Sequence, residues 1–189
     1  MKLFVYANND IECEYGLVRK NEIGLVDKNA GKKYHIMFAS KCGKVVAVDK
    51  QRVSLFDPKE TGDLFDNKVC NVCNRLLDVN LFQKNQNGKD NRTVRRPSCL
   101  DCRAVIDGAG MTAEDTRRMN KIKPHMVIWT CPICKKTTIP GLTSKVVCDH
   151  DHKTGRPRAW ICDSCNTGLG RFKDDIGLLK SAIKYLENN

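Results

Sequence analysis

Between the cysteine pairs Cys131-x-x-Cys134 and Cys162-Asp163-Ser164-Cys165 runs the stretch Cys148-Asp149-His150-Asp151-His152-Lys153-Thr154-Gly155-Arg156-Pro157-Arg158-Ala159-Trp160-Ile161, and Asn166 follows the last cysteine directly. Asp149 to His152 put four metal-capable or titratable side chains in a row. On a strand they alternate, Asp149 and Asp151 to one face, His150 and His152 to the other. Thr154-Gly155-Arg156-Pro157 carries a turn signal, so the reading is a hairpin whose return strand, Arg158 to Ile161, leads into the second cysteine pair. A helix opening at Asn166 and running through Phe172 completes a strand, strand, helix unit with metal ligands at both ends.

The cysteine frame recurs upstream. Cys70-x-x-Cys73 is followed by Cys99-x-x-Cys102 with 25 residues between the inner cysteines, against 27 in the downstream copy, at an offset of 61 to 63 positions. A CxxC turn offers two sulfurs to one ion, and two such turns complete a closed tetrahedral zinc site. Redox pairs would need neither a second pair nor a repeat. The eight cysteines Cys70, Cys73, Cys99, Cys102, Cys131, Cys134, Cys162 and Cys165 are therefore expected to hold two structural zinc ions. Cys13, Cys42 and Cys148 are left over as incidental thiols.

At 189 residues, with 41% hydrophobic and 29% charged positions, the chain can bury one ordinary core or a few small stapled ones. Eleven cysteines are either disulfides or metal ligands, and compartment decides between them. The apolar run at the N-terminus is too short for a signal peptide, and no stretch approaches a membrane span. The expectation is a cytoplasmic protein with reduced thiols and no membrane partner. The formal net charge is +11 and the pI about 9.2, with each third of the chain mildly basic. This favours a polyanionic partner.

Here the chain resembles the HNH, or ββα-metal, nucleases, and most closely the recombination endonuclease VII branch, in which a four-cysteine zinc site brackets an Asp-His-Asp-His strand and an Asn follows the final CxxC. The resemblance covers about residues 131 to 189. It implies that Asp149 and Asn166 bind one Mg2+ or similar hard cation, that His150 is the general base activating water, and that His152 lies near the scissile phosphate. The residue types suit those tasks. One carboxylate and one neutral amide leave a dication with charge to spare for phosphate oxygens, and imidazole takes up protons near neutrality. The first repeat departs from the pattern. Asn85-Gln86-Asn87-Gly88-Lys89-Asp90 stands where the Asp-His pair would be, and Arg103 follows Cys102. It is expected to be catalytically degenerate and to bind DNA through Arg92, Arg95, Arg96 and Arg103, while Arg156, Arg158, Arg171 and Lys173 in the second repeat hold backbone phosphates.

The fold expected is α+β: a small antiparallel β-barrel over residues 1–62, a first zinc repeat over 63–128 and the nuclease repeat over 129–189. Strands are expected over Lys2–Ala7, Glu14–Arg19, Ile23–Val26, Lys33–Ala39, Val45–Val48 and Val53–Phe56, with a linker at Asp57–Gly62. A helix should start at Thr112 and run to Lys121, and Ile176, Leu179, Ile183 and Leu186 predict a core-facing helix over Asp174–Leu186. Because some HNH nucleases are restriction enzymes, the preferred reading is a type II restriction endonuclease acting on double-stranded DNA as a homodimer, one active site per strand. A junction-resolving, homing or nicking enzyme is the alternative, and a non-catalytic zinc nucleic-acid-binding protein is the reading from another class.

Overall fold

The computed structural model describes residues 2–88 and 92–189. Lys89 and Asp90, part of the degenerate stretch of the first repeat, lie outside the described residues. The chain divides into two compact units, Met1–Ala104 and Val105–Asn189.

In the first unit, β1 (Phe4–Ala7), β4 (Ile23–Ala30), β5 (Lys33–Phe38), β6 (Val45–Asp49) and β7 (Val53–Phe56) form an antiparallel sheet in the order β6-β5-β4-β1-β7. Period-2 alternation builds it: every second residue of β1 and β6 is buried. Val5, Ala7, Ile36, Phe38, Val46, Val48 and Val53 then meet Ile11 and Val18 in one core. The expected strand Glu14–Arg19 is instead a two-strand hairpin, β2 (Ile11–Cys13) and β3 (Gly16–Val18), because Glu14-Tyr15 makes a tight turn. Among the described residues no ladder joins β6 to β7, so the sheet is antiparallel as expected while closure into a barrel is not shown. Pro58–Glu60, inside the expected linker, is one 3-10 turn capped by the Asp57 carboxylate, which accepts from Lys59 N.

The elements that follow occur twice in the same order, four strands and two helices. The first set is β8 (Asn67–Val69), β9 (Leu76–Asp78), β10 (Lys84–Asn87), β11 (Thr93–Arg95), α1 (Leu100–Asp107) and α2 (Ala113–Lys121). The second is β12 (Trp129–Thr130), β13 (Thr137–Thr138), β14 (Val146–His150), β15 (Pro157–Cys162), α3 (Asp163–Arg171) and α4 (Ile176–Glu187). In each set the first CxxC is the turn between the first two strands, and the second enters the first helix. The first set is tied to the sheet by backbone bonds, Ile23 N to Asn74 O and Leu76 N to Asn21 O, both 2.8 Å. The unit boundary falls inside α1, so α2 belongs with the second unit.

There, α2 starts where expected, with Thr112 Oγ1 accepting from Asp115 N at 3.0 Å. Its Met119 is buried, and the Met119 carbonyl accepts from Trp160 Nε1 on β15 at 3.0 Å. The C-terminal helix departs from expectation. α4 buries none of its residues, and Ile176, Ile183 and Leu186 are 69, 55 and 76% exposed. The apolar stripe is present at the spacing read from the sequence, with Leu179 half-buried and its other three residues exposed.

Candidate active site and cysteine centres

Each cysteine set comes together as the repeat requires. The ligand atoms of Cys70, Cys73, Cys99 and Cys102 lie within 4.8 Å of one another, and so do those of Cys131, Cys134, Cys162 and Cys165. These quartets can hold zinc, and they are also the local cores. Cys70 and Cys99 pack with Leu77 and Phe82, and Cys131 and Cys162 with Ile161. Burial alone would push the Cys70 thiol up, but the backbone N–H groups of Cys73, Cys99 and Val72 outweigh it and bring it to about 7. The N–H groups of Cys162, Cys134 and Ile133 likewise hold Cys131 at about 6 against its burial. Burial and then neighbouring sulfur push Cys73 up to about 11 and Cys165 up to about 12. Each quartet thus gathers four sulfurs, one of them drawn towards the thiolate by backbone N–H groups, around a point where a cation can sit, which is the donor chemistry of a zinc centre.

The hairpin carrying the four-residue run is β14 paired with β15, and α3 packs against both strands. The strand is shorter than the sequence reading. β14 ends at His150, and Asp151 leads into a turn over residues 152–154. The cause is the Asp151 side chain. Its Oδ1 accepts from Lys153 N at 2.9 Å, Thr154 N at 2.8 Å and Thr154 Oγ1 at 3.0 Å, an Asx-type turn that outcompetes the ladder. Those donations from Thr154 and Lys153 hold the Asp151 carboxyl down at about 2. Asp151 is therefore a turn-former here.

Pairing shifts within the hairpin: Asp149 faces Ala159, whereas His150 faces Pro157. Arg158 is the unmatched residue of this bulge, and bulges re-aim side chains. Its Nη1 lies 3.3 Å from Asp149 Oδ2 and 3.7 Å from Asp174 Oδ2, and its Nη2 lies 3.4 Å from Asp151 Oδ2. Asp149 is buried at 6% exposure. His150 is half-buried with its ring 5.0 Å from that of His152, and no hydrogen bond to its ring is found among the described residues. His152 is anchored. Its Nδ1 donates to Ile106 O at 3.0 Å, and its Nε2 faces Asp174 Oδ2 at 3.7 Å. Asn166, half-buried, lies in the first turns of α3, which begins at Asp163, three residues before the expected start. Among the described residues no cluster of three or more His, Cys, Asp or Glu ligand atoms forms around Asp149. With a single buried carboxylate, an ion at Asp149 would need further oxygen ligands from other residue types, water or substrate, as hard cations at open sites do.

Two features were missed in the sequence. Asp174, just past α3, joins the charged cluster from a position the motif does not cover. The loop after α1 also clasps the turn from behind. Ala109 N donates to His152 O at 2.8 Å, and a Cβ on Gly108 (φ +59) would sit 2.1 Å from that oxygen. A Cβ on Gly155 (φ +73) would sit 2.3 Å from Gly110 O. The sequence signal was Gly108-Ala109-Gly110, small residues where backbones approach.

The arginines expected to meet DNA divide. Arg92, Arg156, Arg171 and Lys173 are exposed, and Arg96 and Arg103 are half-buried. Arg95 is committed within the fold, its Nη1 donating to Phe82 O at 2.9 Å and its Nη2 to Asn80 Oδ1 at 3.1 Å. Arg158 is held among the carboxylates described above. In the second unit no helix is long and apolar enough to cross a membrane, and the same holds for every described helix.

Comparison with known proteins matches this geometry. Residues 57–108 match the His-Me finger endonuclease β4-α2 domain family, and residues 103–188 the recombination endonuclease VII family. The crystal structure of the ββα-Me type II restriction endonuclease Hpy99I superposes with a TM-score of 0.89 and 38% identity, over 98% of this chain and 97% of that one. Gene 59 protein of Mycobacterium phage L5 is 42% identical over 98 residues, 51% of this chain and 56% of its own length. Gene 59 protein of Mycobacterium phage D29 is 42% identical over 57 residues, 30% of this chain and 33% of its own length. The matches thus span about half or less of the two phage relatives.

Proposed function

This chain belongs to the ββα-Me endonuclease family, and from that premise we propose that it is a Mg2+-dependent, sequence-specific type II restriction endonuclease cutting both strands of duplex DNA as a homodimer. The observation that carries the restriction reading is the near full-length likeness, at 38% identity, to a type II restriction enzyme.

In this reading Asp149 and Asn166 hold the catalytic cation, which when bound supplies Lewis-acid stabilisation of charge developing on phosphate oxygens. His150, with no competing partner among the described residues, takes a proton from the attacking water. His152 is positioned by Ile106 O and Asp174 to face the scissile phosphate. Asp151 fixes the turn that presents both imidazoles. Two zinc ions, on Cys70, Cys73, Cys99 and Cys102 and on Cys131, Cys134, Cys162 and Cys165, each hold one repeat rigid. Functionally the chain divides at 1–62, 63–128 and 129–189: a β-rich DNA contact, a degenerate zinc repeat that binds DNA through Arg92, Arg96 and Arg103, and the nuclease repeat with Arg156, Arg171 and Lys173 on backbone phosphates. Three separate hydrophobic clusters, one per segment, support three cores, although α2, within 63–128, packs with the nuclease repeat. Support for the homodimer comes from the uncovered stripe of α4, apolar surface of the kind subunit interfaces bury.

A second reading, a junction-resolving or nicking enzyme, is favoured by the match of residues 103–188 to the recombination endonuclease VII family. Incubating the zinc-loaded protein with Mg2+ and DNA of known sequence, alongside a four-way junction, separates the two. Discrete fragments with one recurring end sequence are expected. Cleavage confined to the junction would replace the restriction reading with the second, and no cleavage of any DNA would remove both.

A further inference from the structure

Arg158 stands at an unusual address. As the unmatched residue of the β14–β15 bulge it does not continue the ladder's side-chain alternation, and its guanidinium reaches Asp149, Asp151 and Asp174, carboxylates from the strand, the turn and the segment after α3. Asp149 and Asp174 are nearly enclosed, with side chains 8 and 13% exposed, whereas the Arg158 side chain is 40% exposed. Two buried carboxylates next to each other need a counter-charge, and Arg158 supplies it. All three separations, 3.3, 3.4 and 3.7 Å, exceed the roughly 2.7–2.9 Å of tight charge-assisted hydrogen bonds. The guanidinium donates long hydrogen bonds to Asp149 and Asp151, and its partial exposure gives it an open path to solvent.

We propose that Arg158 is a counter-cation of Asp149 that competes with the divalent cation for that carboxylate, and that a cation bound there turns the freed guanidinium donors toward a substrate phosphate. This rests on the placement of the ion at Asp149 given above. Charge supports the sequence of events. Three carboxylates against one guanidinium leave the cluster at −2, which a dication neutralises; with the dication on Asp149 itself, the guanidinium donor that faced that carboxylate is released, and an incoming phosphate is the nearest anion it can serve. Metal and DNA thereby bind cooperatively, since each relieves a cost that Arg158 imposes on the other. Arg158 is a positioning residue in this scheme, distinct from the permanently bound phosphate contacts expected of Arg156 or Arg171.

The test is Mn2+ binding, followed by calorimetry on the zinc-loaded, DNA-free protein, for the parent, R158Q, R158M and R158K. Removing one unit of positive charge beside a dication is worth about ten-fold even where solvent screens it well. Either neutral variant that retains two zinc ions should bind Mn2+ about ten-fold more tightly than the parent, and R158K should stay within about two-fold of it. Saturating Mn2+ should strengthen binding of a mixed-sequence duplex more in the parent than in the neutral variants. Unchanged or weaker Mn2+ affinity in both neutral variants, or a shift in R158K as large as in R158Q, overturns the proposal. D149N keeps the two failures apart. If the Mn2+ site survives in D149N, the placement of the ion is wrong; if it vanishes there and R158Q is unchanged, only the role of Arg158 falls.

Discussion

Replacing Gly108 with alanine is expected to cripple cleavage without touching any residue of the motif. Gly108 sits at φ +59, where an L side chain costs about 1 to 2 kcal/mol. Its new Cβ would lie 2.1 Å from His152 O, inside the 3.0 Å that such contacts essentially never breach, so the two backbones must part by about an ångström. Parting them strains Ala109 N to His152 O at 2.8 Å and His152 Nδ1 to Ile106 O at 3.0 Å, each worth about 1 kcal/mol net. The sum is roughly 3 kcal/mol, concentrated on the turn that carries His152, whose ring lies 5.0 Å from that of His150. A displacement of that size near reacting groups costs on the order of 100-fold in rate. The assay is single-turnover plasmid cleavage at saturating Mg2+, with zinc content measured on the same sample. Gly110 is the control, because a Cβ there meets nothing within 4 Å; Gly110→Ala should cut as the parent does. A Gly108→Ala enzyme within two-fold of the parent would refute the claim that this loop sets the geometry of the site.

Elemental analysis should find about two zinc ions per chain, and Cys70→Ser and Cys131→Ser should each retain about one while melting lower, since these sulfurs are buried in their local cores; a parent value near zero would remove the zinc frame. Arg156→Ala should flatten the dependence of log K for DNA on log salt by about 0.9, whereas Arg95→Ala should leave that slope alone and destabilise the fold by about 1 to 3 kcal/mol through loss of its bonds to Phe82 and Asn80. Sedimentation velocity should show a dimer that Ile183→Asp converts to monomer, and a parent that is monomeric at micromolar concentration would sink the dimer.

The repeat and the motif were legible because they depend on spacing. CxxC pairs at matched offsets need no tertiary information to be assigned to one ion, and both quartets assemble as read. The antiparallel N-terminal strands were legible from alternation, with the exception of Glu14–Arg19, where a two-residue turn inside a β-rich run carries little sequence signal. The α4 stripe was read correctly as a stripe, but a periodic pattern says only that a face is apolar and not what covers it. The motif also concealed its own division of labour. Asp151 looks equivalent to Asp149 in a run of four, yet local donors at Lys153 and Thr154 turn it into a turn-former. The bulge that aims Arg158 at Asp149, and the contribution of Asp174 from beyond α3, arise from pairing register and chain reversal, which linear spacing does not encode.

The proposal that the chemistry resides in the second repeat, with His150 as the proton acceptor, is open to a single comparison: cleavage of duplex DNA in Mg2+ by zinc-loaded parent and His150→Ala proteins, matched in zinc content. A loss of about 100- to 10,000-fold is expected in the variant; a His150→Ala protein that cuts as fast as its parent removes His150 from the chemistry.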